Sequence, residues 1–293
     1  MPCIGIDCDI RKEKVSFFEC SVCDRCKKFP DLLKKKFLFP SIRSGNPRIS
    51  VTMLTSCPRQ AYLKMTRDFY ISRNGIISTN IGTALHEYIQ GSSDISEKFI
   101  RWVTPEGHEC VGYLDALNIF KRILYDLKTT AHGWRISDHG AKGQDKLQLQ
   151  IYATILKNMH RVDLHALKLI YVGLGDKECL EVEVPYEDKS KFINQKTNLL
   201  QRHLEEGTVP KGEPMWPEWE CGYCQFSNDC PDKVVSKKVY KSKQKPESSP
   251  EPAKDELPTE EVKTGIVSET EKDKGSSAPR EKEKRAKGLG GFV

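Results

Sequence analysis

The order of the apolar segments between about residues 50 and 231 restricts the fold more than any other feature of this chain. Helix-like spacing occurs first, in ISVTMLTSCPRQAYLKM and NIGTALHEYIQ. Three strand-like segments follow, EKFIRWV, ECVGYLDAL and RILYDLKTT, and their short connections predict an antiparallel meander. The helix DKLQLQIYATILKNM, two more strands, HALKLIYVGL and CLEVEVPY, and a last helix ending at Gly207 complete an α/β domain.

The segments on either side of this domain have a different composition. Residues 1–45 contain five of the 11 cysteines and predict a separate cysteine-rich arm. Residues 236–293 consist mainly of Lys, Glu, Ser and Pro, and such a segment buries too little apolar surface to offset its ordering entropy. The sequence therefore predicts three parts, an arm at 1–45, a folded domain at 46–235 and a disordered charged tail at 236–293.

Composition also narrows the classes of function. No apolar run approaches the roughly 20 residues that a membrane span needs, and the N-terminus lacks the apolar stretch of a signal peptide. We therefore expect a cytoplasmic protein without a membrane partner. In a reducing compartment, clustered cysteines bind metals more often than they form disulfides. The formal charge of +6 permits a polyanionic partner but does not identify one.

Two charged residues interrupt the strand RILYDLKTT on one face, because alternation places Asp126 and Lys128 on the same side. If the preceding turn centres near residues 120 and 121, Asp115 lies directly opposite Asp126. Two adjacent carboxylates repel each other unless a cation lies between them. The turn sequence NIFKR lacks an Asn-Gly signal, so a register slip would separate the pair. A surface salt bridge from Lys128 is the other explanation.

Polar residues on the neighbouring helices extend this set. GTALHEYI offers His86, whose neutral imidazole, together with carboxylates, suits Mn²⁺ or Mg²⁺. In QLQIY, Gln148 and Tyr152 are four residues apart and share one helix face. Taken alone, His86 is more often a hydrogen-bonded helix residue, and Gln148 and Tyr152 are better explained by ordinary packing at a core edge.

Taken in order, GTALHEYI, GYLDAL, YDLKTT and QLQIY resemble the motifs of the RecB-like branch of the PD-(D/E)XK nuclease superfamily. The resemblance implies a restriction-endonuclease-like core with a mixed central sheet flanked by helices. It implies that Mn²⁺ or Mg²⁺ is held by His86, Asp115, Asp126 and the backbone carbonyl of Leu127. It also implies that Lys128 serves the attacking water and that Gln148 and Tyr152 help to place the lysine and the DNA backbone.

Three cysteines follow the last helix as C-x2-C-x5-C, namely Cys221, Cys224 and Cys230, and Cys57 precedes the nuclease motifs. Four thiolates hold either a tetrahedral zinc or a [4Fe-4S] cluster, and spacing alone does not decide between them. One distant cysteine and three close ones resemble the iron–sulfur nucleases, both the CRISPR-associated RecB-like exonucleases and the AddB nuclease domain. This resemblance implies a [4Fe-4S] cluster that closes the domain.

These resemblances lead to an expected function. We expect a metal-dependent DNA exonuclease that acts on single strands or DNA ends, in CRISPR adaptation or in DNA repair and recombination, with proteins of those pathways as partners. The alternative is a DNA-binding adaptor with structural iron–sulfur or zinc sites that cuts nothing. The arm has no counterpart in the family, and it could hold Zn²⁺ or a second cluster at Cys8, Cys20, Cys23 and Cys26.

Overall fold

The computed structural model describes residues 3–23, 48–90 and 94–234. All of them belong to the first of the chain's two compact units, Met1–Val239. The predicted disordered tail, residues 236–293, lies outside the described residues, and so does Cys26.

The strands of the described segments form a small sheet and a larger one. In chain order they are β1 (Cys3–Cys8), β2 (Glu13–Ser16), β3 (Phe69–Ser72), β4 (Ile95–Val103), β5 (Glu109–Asn118), β6 (Ile123–Thr130), β7 (Ala166–Gly173) and β8 (Cys179–Val184). The small sheet has the order β2-β1-β3 and the larger one the order β4-β5-β6-β7-β8.

The helices connect and cover these sheets. In chain order they are α1 (Phe17–Ser21), α2 (Val51–Leu54), α3 (Pro58–Thr66), α4 (Arg73–Gln90), α5 (Trp134–His139), α6 (Gly143–His160), α7 (Ser190–Glu206) and α8 (Pro217–Tyr223), and a 3₁₀ turn spans Ser227–Asp229. None of the helices in the described segments is both long and apolar enough to cross a lipid bilayer.

The larger sheet is mixed. Strands β4, β5 and β6 pair antiparallel, which confirms the predicted meander, whereas β7 is parallel to β6 and antiparallel to β8. A parallel pair needs a long crossover, and α5 and α6 provide it between β6 and β7. A mixed sheet flanked by helices is consistent with the restriction-endonuclease-like fold that the resemblance implies.

The main core lies between this sheet and its helices. Helix α6 buries Leu149, Ile151 and Ile155 fully, and they join residues of β5, β6 and β7 in one cluster. Helix α7 adds Ile193 and Leu200 to the same cluster and ends, as predicted, before Gly207, whose φ is 65°. Burial of such side chains stabilises the fold by about 1.5 to 3 kcal/mol each.

One predicted helix is interrupted. The segment ISVTMLTSCPRQAYLKM forms two helices, α2 and α3, instead of one. The Ser50 side chain caps α2 by accepting from the Met53 N–H, and Pro58 begins α3 directly after Cys57. Proline suits the first helical position because its missing N–H has no partner there. Cys57 therefore lies at the junction of the two helices.

The small sheet connects the cysteine-rich start of the chain to β3. Strand β1 pairs antiparallel with β2 and parallel with β3. Cys8 and Cys20 are buried in its core with Ile6 and Ile76, the last of these from α4. Strands β1 and β2 precede the predicted boundary between residues 45 and 46, and β3 follows it. Helix α4 also packs against β4, β5 and β6, and thus links the two sheets.

Candidate active site

The β5–β6 hairpin has the register that the sequence predicts. Leu117 pairs with Leu124, and the neighbouring pairs keep the same register. The turn is fixed by the Asn118 side chain, which accepts a hydrogen bond of 2.7 Å from the Lys121 N–H, and by Arg122 at φ 55°. An asparagine at a turn start is the local signal that a search for Asn-Gly alone misses. The described ladder stops at Ala116 and Tyr125, one pair before the aspartates.

Asp115 takes the place of a backbone acceptor where the ladder stops. Its Oδ2 accepts a 2.8 Å hydrogen bond from the Leu127 N–H. Its Oδ1 lies 3.5 Å from Nδ1 of His86, on α4. The imidazole hydrogen bond raises the pKa of His86. Burial opposes ionisation of Asp115, but His86 and Lys128 outweigh it and lower the pKa of that carboxyl.

Asp126 and Lys128 form a buried ion pair. The distance from Nζ to Asp126 Oδ2 is 2.5 Å, and the aspartate side chain is only 1% exposed. Burial raises the pKa of Asp126. Burial opposes the charge on Lys128, but Asp126 and Asp115 outweigh it and raise the lysine pKa. The salt bridge from Lys128 that the sequence offers as the other explanation is thus present, but its aspartate is buried and its lysine is 20% exposed.

The glutamine and tyrosine of α6 reach the same cluster. Gln148 Nε2 lies 3.4 Å from Asp126 Oδ1 and 3.2 Å from the Tyr152 hydroxyl oxygen. Tyr152 in turn packs against β5 at Gly112, where an added Cβ would lie 2.7 Å from its ring. The predicted residues His86, Asp115, Asp126, Lys128, Gln148 and Tyr152 thus form one connected set, although they come from four elements.

Sequence reasoning missed a third carboxylate beside this set. Asp145, in the first turn of α6, is 8% exposed and acts electrostatically on Asp126 and Lys128. Its Oδ2 accepts a 2.7 Å hydrogen bond from the hydroxyl of Tyr171, which lies opposite Lys128 in the β6–β7 ladder. An acidic residue in a first helical turn is common, so the sequence alone gives no reason to single it out.

Removing the Tyr171 hydroxyl is expected to destabilise the domain. Tyr171→Phe deprives the buried Asp145 of its donor and the Lys142 N–H of its acceptor, 3.2 Å away. We expect the free energy of unfolding to fall by about 1 to 3 kcal/mol, measured by urea denaturation. The control is Tyr186→Phe, whose described contact uses the ring rather than the hydroxyl. Equal stability of both variants would contradict the prediction.

The four predicted cluster cysteines meet at one cavity near the end of the domain. Cys57, Cys221, Cys224 and Cys230 all line it. Burial raises the pKa of the Cys224 thiol, and Cys57 and Cys230 add to that rise. Glu220 of α8 connects this helix to the segment of Cys57. Its carboxylate accepts hydrogen bonds from the backbone N–H groups of Cys57 and Trp216.

As positioned, neither set forms a finished metal site. Within the described residues, no group of three or more His, Cys, Asp or Glu side chains could hold a metal ion. At the carboxylates, the Lys128 ammonium lies 2.5 Å from Asp126 Oδ2. That buried oxygen nevertheless lacks a hydrogen bond of good geometry among the described residues. Two carboxylates and an imidazole are a donor set that suits Mn²⁺ or Mg²⁺, and four thiolates suit zinc or an iron–sulfur cluster.

Comparison with known proteins bears on these motifs. The family model described as the PD-(D/E)XK nuclease superfamily matches residues 111–231. The crystal structure of SSO0001 is similar, with a TM-score of 0.48 and 20% identity over 66% of this chain and 90% of the other. No curated protein matches the chain. The matched residues contain both strand aspartates, Lys128 and the QLQIY motif, and a domain of the PD-(D/E)XK nuclease superfamily is therefore present in this chain.

Proposed function

We propose that this protein is a metal-dependent DNA exonuclease that hydrolyses phosphodiester bonds of single strands or DNA ends. The observation that carries the proposal is the connected set of His86, Asp115, Asp126 and Lys128, which three separate elements contribute. A buried carboxylate paired with a largely buried lysine is costly for stability alone, and perturbed groups of this kind concentrate at functional sites. We further propose a role in CRISPR adaptation or in DNA repair and recombination, with proteins of those pathways as partners.

The proposed metal ligands are His86, Asp115, Asp126 and the Leu127 carbonyl. A divalent cation bound there would neutralise charge on the phosphate and lower the pKa of a water. Asp126 and Asp115 raise the pKa of Lys128, whereas a divalent cation bound to the same carboxylates would favour the neutral lysine. Lys128 would orient the attacking water or stabilise the developing negative charge. The Gln148 amide donates to the other carboxylate oxygen of Asp126, Oδ1, and to the Tyr152 hydroxyl oxygen.

The four-cysteine cavity is the proposed site of a [4Fe-4S] cluster on Cys57, Cys221, Cys224 and Cys230. The proposal is supported by the convergence of these four side chains on one cavity from distant parts of the chain. A cluster there would tie the start of α3 to α8 and to the segment after it. A second metal site at Cys8, Cys20, Cys23 and Cys26 stays a prediction, because Cys26 lies outside the described residues.

The proposed function is tested on full-length protein prepared anaerobically and analysed for iron, sulfide and zinc. It is then incubated with 5′- or 3′-labelled single-stranded and duplex DNA, with Mn²⁺, with Mg²⁺ or with EDTA. We expect cleavage that requires the divalent ion and releases short products from one end. Circular single-stranded DNA is the matched substrate without ends. Degradation of the circle at the same rate would contradict the exonuclease proposal, and no cleavage of any substrate would favour the adaptor alternative.

A further inference from the structure

A polar and aromatic groove of about 360 Å³ opens next to the cysteine cavity, and Gln60 and Glu220 line both. Its size falls within the range of about 300 to 1,000 Å³ that is usual for ligand sites. Residues of α2, α3 and α8 and the start of α6 line it. Its lining side chains include Lys64, Gln144, Trp219 and Tyr223.

Two exposed aromatic rings form one wall of the groove. Trp219 and Tyr223 are four residues apart on α8, so they share one side of this short helix. Trp219 is 37% exposed and Tyr223 is 83% exposed. Exposed rings in a row are the feature on which single-stranded nucleic acids stack their bases, and such stacking tolerates any sequence.

A half-buried cation lies on the facing helix. Lys64 of α3 lines the groove and forms no ion pair with any of the described residues. The acidic neighbour in the groove, Glu220, already accepts from two backbone N–H groups. Burial lowers the pKa of Lys64, whereas Cys224 and Glu220 favour its charged form. Lys64 is the basic side chain among the groove's lining residues, and a phosphate is the negative group that accompanies bases in a nucleic acid.

The groove reaches helix α6, which also carries two residues of the proposed active site. Gln144 and Gln148 are four residues apart on α6, and such neighbours have Cβ atoms about 5 to 6 Å apart. Gln144 lines the groove and Gln148 contacts Asp126.

We propose that this groove binds single-stranded DNA, with bases stacked on Tyr223 and Trp219 and a phosphate on Lys64. The inference rests on the proposed nuclease function, since it names the strand that such a nuclease holds. It also gives α8 two roles, because Cys221 on this helix lines the cysteine cavity while the aromatic pair lines the groove.

The test is binding of a fluorescent deoxythymidine 15-mer and of a blunt duplex, measured by anisotropy in EDTA so that cleavage does not interfere. We expect Tyr223→Ala to weaken binding of the single strand about 5- to 100-fold and Tyr223→Phe to retain it. Lys64→Met should reduce the slope of log affinity against log salt by about 0.7. The matched control is Phe120→Ala, because Phe120 is an equally exposed ring in the β5–β6 turn.

The outcomes separate this inference from the proposed function. If Tyr223→Ala binds the single strand as tightly as Phe120→Ala does, the groove proposal is overturned even where the wild-type protein cleaves DNA. An equal loss of duplex binding would also overturn it, because paired bases are not open to stacking on a side chain. If the wild type binds single strands through Tyr223 but cleaves nothing, the groove stands and the nuclease proposal fails.

Discussion

Asp126→Ala is expected to abolish DNA cleavage, with a rate at least about 1,000-fold below that of the wild type. The variant removes a proposed metal ligand and the partner of the Lys128 ammonium, 2.5 Å away. It also removes the acceptor of the Gln148 amide. The measurement is the initial rate of product release from end-labelled single-stranded DNA at saturating Mn²⁺.

Loss of activity through unfolding has to be separated from loss of chemistry. Asp126→Ala leaves a buried ammonium without its partner, which costs about 3 to 5 kcal/mol. The double variant Asp126→Ala with Lys128→Met removes both charges, and we expect it to regain most of that stability but none of the activity. Thermal unfolding and iron content report on the fold of both variants. Cleavage at wild-type rate by a folded variant lacking Asp126 would refute the nuclease proposal.

The hairpin at the centre of the site could be predicted because its information is local. A turn centred near residues 120 and 121 sets the register, and the pairs Leu117–Leu124 and Asn118–Ile123 follow it. The alternation of Leu124, Asp126 and Lys128 then places the two charged side chains on one face. The split of one predicted helix at Cys57 also has a local cause, because Pro58 suits the first position of a new helix.

Other parts of the site could not be predicted, since they depend on contacts between distant segments. Lys128 pairs with Tyr171 between the parallel strands β6 and β7. Two helices connect these strands, so no turn residue fixes the register of the two strands. The pairing of β1 with β3 is also parallel and joins segments on either side of the predicted domain boundary. Asp145 gains its place near Lys128 only through these long-range contacts.

Replacing one cysteine of the cavity is expected to destabilise the whole domain. Cys57→Ser removes the only one of the four proposed ligands that precedes the nuclease motifs, 164 residues before Cys221 (221 − 57). If a cluster joins these ends, it restricts the unfolded chain as a crosslink does, and closing a loop of this length is worth about 5 kcal/mol. We therefore expect the Tm to fall by about 10 to 20 °C, together with loss of iron and sulfide.

Cys179→Ser is the matched control for this substitution, because Cys179 is exposed on β8 and does not line the cavity. The same chemical change there should leave the Tm and iron content as they are in the wild type. Cys224→Ser should behave like Cys57→Ser, because either change leaves three thiolates. A cavity that is merely well packed predicts a different result, namely a small Tm change for each serine and no link to iron. Equal Tm and iron content in Cys57→Ser and Cys179→Ser would therefore exclude a bound cluster as the connection between the two ends.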